Sequence, residues 1–411
     1  MALKYNRRVK ESAVSPDAAL LFPDRMVDLM AQRLEKVDRL LGFLEENLDE
    51  KHCVEVLQRH MDAISGISGR ETPLSVYCKA DHELYPITEV YNDPEKMLYN
   101  ELVQAGEFGS VLNSAIMKDD YPFQIRSNHG VVIMHNLVGG PYTLREGSTP
   151  WADRAGSISE YRREWEDKQY DPYAGVPGKV IETYRYYAER LSEYPLCRKF
   201  IRLCLPDMQG PFSIAASLLG NDIFYDIYDN PDDIHWLLDR ITSAYIEFYK
   251  IIAPLVNGFT PDGNGTYAMG AIFPGLVLLK EDTSSACLSD EQITEFCTPY
   301  NKRITDELGP VSIHYCGRSL PFHHTVYKIP KLRGINFGDP DKQDMADVFR
   351  NWRDSGVAVI NWGYHQPHEF LYKTLAGADT TGFTLCCSAS GTEEGRDLVK
   401  RYREEGISAL Q

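Results

Sequence analysis

What this chain of 411 residues does not contain narrows its function before any motif is considered. It has no run of about 18 consecutive apolar residues, so no stretch of it is suited to crossing a bilayer as a helix. Its first stretch, MALKYNRRVKESAVSPDAALLFPDR, is basic but lacks the apolar block of a signal peptide, and the expected compartment is the cytoplasm. Positive charge is in deficit: 43 Lys and Arg stand against 60 Asp and Glu, a net −17. Such a surface repels phosphate backbones, which argues against nucleic acid as a partner. No G-x-G-x-x-G fingerprint or phosphate loop occurs, and the Gly-rich stretch DGNGTYAMGAIFPG fits neither. No internal repeat or low-complexity tract is present. The nine cysteines are odd in number and scattered, which suits small buried side chains in a reducing compartment rather than a disulfide framework.

What is there reads as an ordinary globular composition, 43% hydrophobic and 25% charged, in a chain long enough to bury a large core. Residues 16–64 carry a helical stripe, with Met26, Leu29, Met30, Leu34, Val37, Leu40, Leu41 and Leu44 at three- and four-residue steps. We take residues 1–70 as a helical extension used for packing or for contact within a homodimer. From there on, short β-rich runs alternate with amphipathic helices. The expected strands are 130–137, 200–208, 275–282, 311–316, 333–339, 357–363 and 382–387. Helices are expected over NPDDIHWLLDRITSAYIEFYKIIAPLV, over SDEQITEFCTPYNKRITDELG with Ser289 as its cap, over DKQDMADVFRNWRDSG, and over TEEGRDLVKRYREEG. This alternation implies a parallel sheet, and the number of units favours a (β/α)8 TIM barrel over residues 71–411 rather than an open sheet. The polar segment 141–178 is expected to run over the barrel mouth.

Barrel enzymes place their chemistry at the C-terminal ends of the strands. One such end reads VSIHYCGR, where His314 and Cys316 are two apart and share a face because strand side chains alternate. Gly317 then allows a turn. An imidazole and a thiolate suit Zn²⁺, which takes a tetrahedral N/S set. The competing reading is a buried strand that happens to contain a His and a Cys. A third ligand would come from TLCCSAS, at another strand end, where adjacent residues point to opposite sides and only one of Cys386 and Cys387 can coordinate. Three protein ligands leave one position open, as in catalytic zinc sites.

The order of four segments carries a resemblance: MQGPFSIAASLLGNDIFYDIYDNPDDIHWLLDRIT, KEDTSSACLSDEQITEFCTPYNKRI, IHYCGR and GINFGDP. Over residues 72–405 the chain resembles the uroporphyrinogen decarboxylase superfamily. Its decarboxylase branch grips substrate carboxylates with an Arg-rich motif that TPLSVYCKADHELYP lacks. The chain is more similar to the cobalamin-dependent methyltransferase branch, such as the methylcobalamin:coenzyme M methyltransferases, whose His-x-Cys pair and later Cys hold zinc. The resemblance assigns His314 and Cys316 to the metal; of the two later cysteines, Cys387, nearer the barrel mouth, is taken as the third ligand, with Cys386 as the alternative. It implies a zinc-dependent methyltransferase that moves a methyl group between a corrinoid protein and a small thiol or other small-molecule donor or acceptor. Cobalamin would be carried by that partner, since no D-x-H-x-x-G signature occurs here. A decarboxylase of a uroporphyrinogen-like or small carboxylic acid and a non-catalytic barrel scaffold are the rival readings.

Other residues are weaker candidates. Glu281 and Asp282 end a strand, where they could serve in acid–base chemistry or merely begin a helix. Gln209, Asp262 and Asn264 could line the same mouth and bind substrate, or sit in turns. Pro367 argues against one metal-binding helix for His365 and His368. His323 and His324 are expected on the helix after the His-x-Cys strand.

Overall fold

Strands that carry almost unbroken apolar runs must be covered on both faces, and parallel pairing between helices achieves this. The computed structural model describes residues 36–79, 82–104, 109–257, 266–267, 271–272, 277–318, 329 and 331–411. Expectations for residues 16–35, for Asp262 and Asn264, and for His323 and His324 lie outside the described residues.

Among the described residues, eight strands pair in parallel: β1 (Leu74–Cys78), β2 (Gln124–Ile125), β3 (Arg202–Leu203), β4 (Val277–Lys280), β5 (Val311–Tyr315), β6 (Leu332–Phe337), β7 (Ala358–Trp362) and β8 (Phe383–Ala389). Six of them form one sheet in the order β1-β8-β7-β6-β5-β4, and β2 pairs with β3 separately. The architecture is a mixed α/β fold with a parallel sheet. Both edges of that sheet bond to chain flanking the β2–β3 pair. At the β1 edge, Leu74 N donates to Asp120 Oδ2 at 2.8 Å and Asp120 N donates to Leu74 O at 2.9 Å. At the β4 edge, Gly210 N donates to Lys280 O at 2.8 Å.

The two faces of the sheet differ in chemistry. Val311, Ile313 and Tyr315 of β5, Ile335 and Phe337 of β6, and Phe383, Leu385 and Cys387 of β8 join the hydrophobic core. The alternate positions Ser312, His314, Asn336 and Thr384 turn the other way, and all four are buried. This second face is therefore a lining of buried polar side chains.

Where the structure departs from expectation, the reason is local. Residues 130–137 do not form a strand; Val132–Leu137 is a helix. Val132, Ile133, Met134, His135 and Leu137 are all buried, so burial on nearly every side hides the helical period. β1 went unnoticed because LSVYC is short and half polar, and β2 has only two residues, too few to show any period. The segment 141–178 holds a small hairpin, Tyr142–Thr143 with Trp151–Ala152, and the helix Ile158–Trp165. The stretch SDEQITEFCTPYNKRITDELG splits into Asp290–Phe296 and Thr298–Leu308, with Pro299 in the first turn of the second. Ser289 caps the first as expected: its Oγ accepts from Gln292 N at 3.3 Å, and Gln292 Oε1 accepts from Ser289 N at 2.8 Å.

Residues 36–47 and Glu50–Ile64 are helical, and Val37, Leu40, Leu41 and Leu44 bury their stripe in the same core as the sheet. Asp120 joins this layer to β1 and to the last helix, Thr392–Glu405. It accepts from Arg59 Nε at 2.7 Å, from Leu74 N, and from Arg403. Burial alone would raise the Asp120 carboxyl, but the Arg403 and Arg59 guanidiniums outweigh it and hold it below the ordinary carboxylate value. Removing Asp120 withdraws the buried carboxylate from two part-buried guanidiniums, leaves them only the more exposed Glu55 and Glu71, and orphans the buried Leu74 N–H. Asp120→Ala should therefore cost about 3–5 kcal/mol, read as a lowered urea midpoint. Because the folded-state value is depressed, this contribution is complete above the unfolded value of 3.8 and fades as pH falls through the lower folded value. The stability gap between wild type and Asp120→Asn should narrow in acid; a gap that widens there would contradict the assignment.

Candidate metal centre

His314 and Asn336 are register partners on β5 and β6, so their side chains leave the sheet on the same face. Asn336 Nδ2 lies 2.7 Å from Ile360 O, and a carbonyl can only accept. The amide is thereby oriented with Oδ1 toward His314 Nδ1, 2.6 Å away. Nδ1 must carry the proton, which leaves Nε2 with a bare lone pair. Burial, and next the Lys280 ammonium, hold the imidazole below its ordinary value, so it is neutral.

That lone pair faces two other ligand types. Cys316 Sγ is 3.7 Å from His314 Nε2, and Asp282 Oδ1 is 3.9 Å from it. The three ligand atoms all lie within 4.8 Å of one another. Ligands about 2.0–2.3 Å from one tetrahedral ion stand roughly 3.3–3.7 Å apart, so separations of 3.7 and 3.9 Å would close onto an ion with a small contraction. Asp282 Oδ1 also accepts from Cys316 N at 2.8 Å, which ties the loop after β5 to the helix Asp282–Cys287 after β4. Gly317, at φ +84°, makes the turn that follows. Gly338 makes room for the sulfur: a Cβ there would lie 2.5 Å from Cys316 Sγ. Partial burial, with Asp282 and Asp339 beside it, pushes the Cys316 thiol up to about 12. A bound cation inverts that preference.

Among the described residues, the structure brings together His314, Cys316 and Asp282. Neither Cys386 nor Cys387 joins the group. Cys387 pairs in register with Val76, whose Cγ1 approaches Gly395 of the last helix, so Cys387 faces the helix layer and belongs to the apolar core. Cys386, its neighbour, turns to the polar face in register with Ser75 and donates to Asn361 O at 3.5 Å. Glu281 is fully buried and accepts from Asn301 Nδ2 at 2.7 Å, which fastens β4 to the helix Thr298–Leu308. His368 starts the helix His368–Leu375 just after Pro367, and His365 lies outside that helix.

Asp282 and Gln209 also line a cleft of about 540 Å³, with Val131, Ile214, Ala216 and Phe224 among its walls. Behind Gln209 lies a buried ion cluster that the sequence did not single out. Gln209 Nε2 donates to Asp207 at 3.3 Å, Lys280 Nζ is 2.9 Å from the same carboxylate, and Arg126 is 3.9 Å from it. Burial would raise Asp207, but Lys280 and then Arg126 hold it below the ordinary value. Each of these three residues ends or follows a short strand, so an ionisable residue just after an apolar run was the available signal.

No protein-family model matches the chain, and no curated protein matches it. Among solved structures, a methyltransferase from Methanosarcina mazei superposes with a TM-score of 0.56 at 12% sequence identity, covering 86% of this chain and 98% of that one. The two share a fold. At that identity the likeness concerns architecture, and the ligand geometry described above stands on this chain's own residues.

Two outcomes follow for metal binding. Asn336→Ala should weaken zinc affinity about 10–100-fold without emptying the core, because His314 loses its fixed tautomer; competition with a chelating dye reads this directly. Binding must displace the Cys316 proton but none from neutral His314. Zinc affinity should therefore rise about tenfold per pH unit between roughly pH 7 and 9. A flat profile would mean that Cys316 is not a ligand.

Proposed function

We propose that this chain is a zinc-dependent methyltransferase that moves a methyl group between a corrinoid protein and a small thiol or similar small-molecule acceptor or donor. The observation that carries the reading is the convergence of Asp282 Oδ1, His314 Nε2 and Cys316 Sγ at the C-terminal ends of neighbouring parallel strands. An O/N/S set of three protein ligands suits zinc and leaves a fourth position for substrate. When bound there, zinc lowers the pKa of a substrate thiol and supplies the thiolate that methyl transfer needs. His314 and Cys316 act as ligands, Asp282 closes the set, and Asn336 keeps the imidazole turned toward it. Cys386, on the polar face, is the further thiol within the same lining. The likeness in fold to a methyltransferase agrees with this reading.

The proposal takes the eight parallel strands as one (β/α)8 ring, closed through the Leu74–Asp120 and Gly210–Lys280 bonds. It takes segment 141–178, beside the cleft, as the surface over which a corrinoid protein docks. Cobalamin belongs to that partner.

Metal analysis of the purified full chain is the direct test. We expect about one zinc per chain, and loss of most of it in Cys316→Ser and in His314→Ala, whose folds should persist by circular dichroism. A companion Cys387→Ser variant should keep its zinc. Wild-type protein that takes up no zinc from a buffered solution, or Cys316→Ser protein that retains it, would sink the reading.

A further inference from the structure

The cleft that opens onto Asp282 has walls of distinct chemistry. Val131, Ile214, Ala216 and Phe224 make it largely apolar, and Asp282 is the one charged side chain among its described lining residues. His135 adds no charge, since burial holds its imidazole below the ordinary value. Its ring is also engaged on both sides, 2.8 Å from Pro141 O and 2.7 Å from Ser217 Oγ. Around the cleft the whole chain is acidic, with a net charge of −17. A carboxylate in the lining and a negative field outside both oppose an anionic ligand.

We propose that the small molecule taken by this site is a neutral compound with an apolar, ring-sized body, held in the cleft with its sulfur or oxygen end toward Asp282, His314 and Cys316. The proposal rests on the methyl-transfer reading of the same site. The apolar body displaces water from Val131, Ile214 and Phe224, and that burial supplies the affinity. Asp282 joins the cleft to the ligand group, its Oδ1 3.9 Å from His314 Nε2 and accepting from Cys316 N at 2.8 Å, so the reactive heteroatom is the part of the molecule that meets it. An anionic head has no cation to meet along the described walls.

Cys287 lines the cleft and is exposed, so it reports occupancy without any need for metal. The full-length protein, metal-free and zinc-loaded, is alkylated with iodoacetamide, and modification of the Cys287 peptide is followed by mass spectrometry. Thioanisole and benzoate are the probes, similar in size, one neutral and one anionic. Thioanisole should slow Cys287 modification about tenfold at roughly ten times its Kd, while benzoate at the same concentration leaves the rate unchanged. Ala216→Lys, which sets a cation in the wall, should bring benzoate protection with it. Equal protection of the wild type by benzoate, or protection by neither probe, would overturn the proposal, and this comparison decides even if the variant does not fold. Because the metal-free protein is included, failure here is separate from failure of the zinc measurements.

Discussion

The carbonyl oxygen of Ile360 can only accept a hydrogen bond, and the orientation of the candidate metal centre follows from that fact. It fixes the Asn336 amide, which fixes the proton on His314 Nδ1, which leaves Nε2 open. The three residues sit level on β7, β6 and β5, so the relay exists only in this register. A slip of one residue would turn His314 into the helix layer and bring Ile313 to the polar face. The register of the next pair is irregular between Val359 and Trp362, and Asn361 takes the left-handed conformation at φ +48°. Its backbone N–H donates to Thr384 Oγ1 at 2.8 Å. A break of this kind beside a site redirects the strand end without disturbing the pairing below it.

The ion cluster of Arg126, Asp207 and Lys280 belongs to the same construction. Buried ion pairs seldom stabilise a fold more than well-packed apolar residues would. Here the cluster lies just after β2, just after β3 and at the end of β4, and Lys280 is the register partner of His314. Burial is the larger cause, but the Lys280 ammonium also favours the neutral imidazole, the form that can serve as a ligand. Asp207 holds that ammonium at 2.9 Å, while its own carboxylate pulls the imidazole the other way. Charge that would be costly in a structural core thus acts on the protonation state of one candidate ligand.

Much of this was legible in the chain itself. The alternation of strands and helices is written in short apolar runs and in caps such as Ser289, and the His-x-Cys step follows from strand periodicity alone. The polar face was harder to see, because Ser312, Asn336 and Thr384 sit singly between apolar neighbours and look like ordinary strand residues. Asn336 carried no separate signal: its role depends on Ile360, which lies 24 residues away in sequence and adjacent in space. The helix Val132–Leu137 was misread because β-branched residues buried on most sides suit a strand equally well. Asp282 was visible as a strand-end carboxylate, but nothing local said that it would face a lone pair on the next strand.

Cys387 and Asp282 show how one constraint decides membership of the site. Proximity to a strand end favoured Cys387, yet alternation along β8 assigns it to the face of Val76, against the last helix. A side chain inside a strand cannot change faces without shifting the whole strand. Asp282 is under no such restriction, since it opens a helix just beyond β4 and its direction is set by the turn. Its Oδ1 accepts the Cys316 N–H and stands beside His314 Nε2 at the same time. One carboxylate oxygen therefore sets the distance between the loops after β4 and β5. The spacing of the three ligand atoms is coupled through it: a movement of Asp282 carries Cys316 along, while His314 stays where Asn336 holds it.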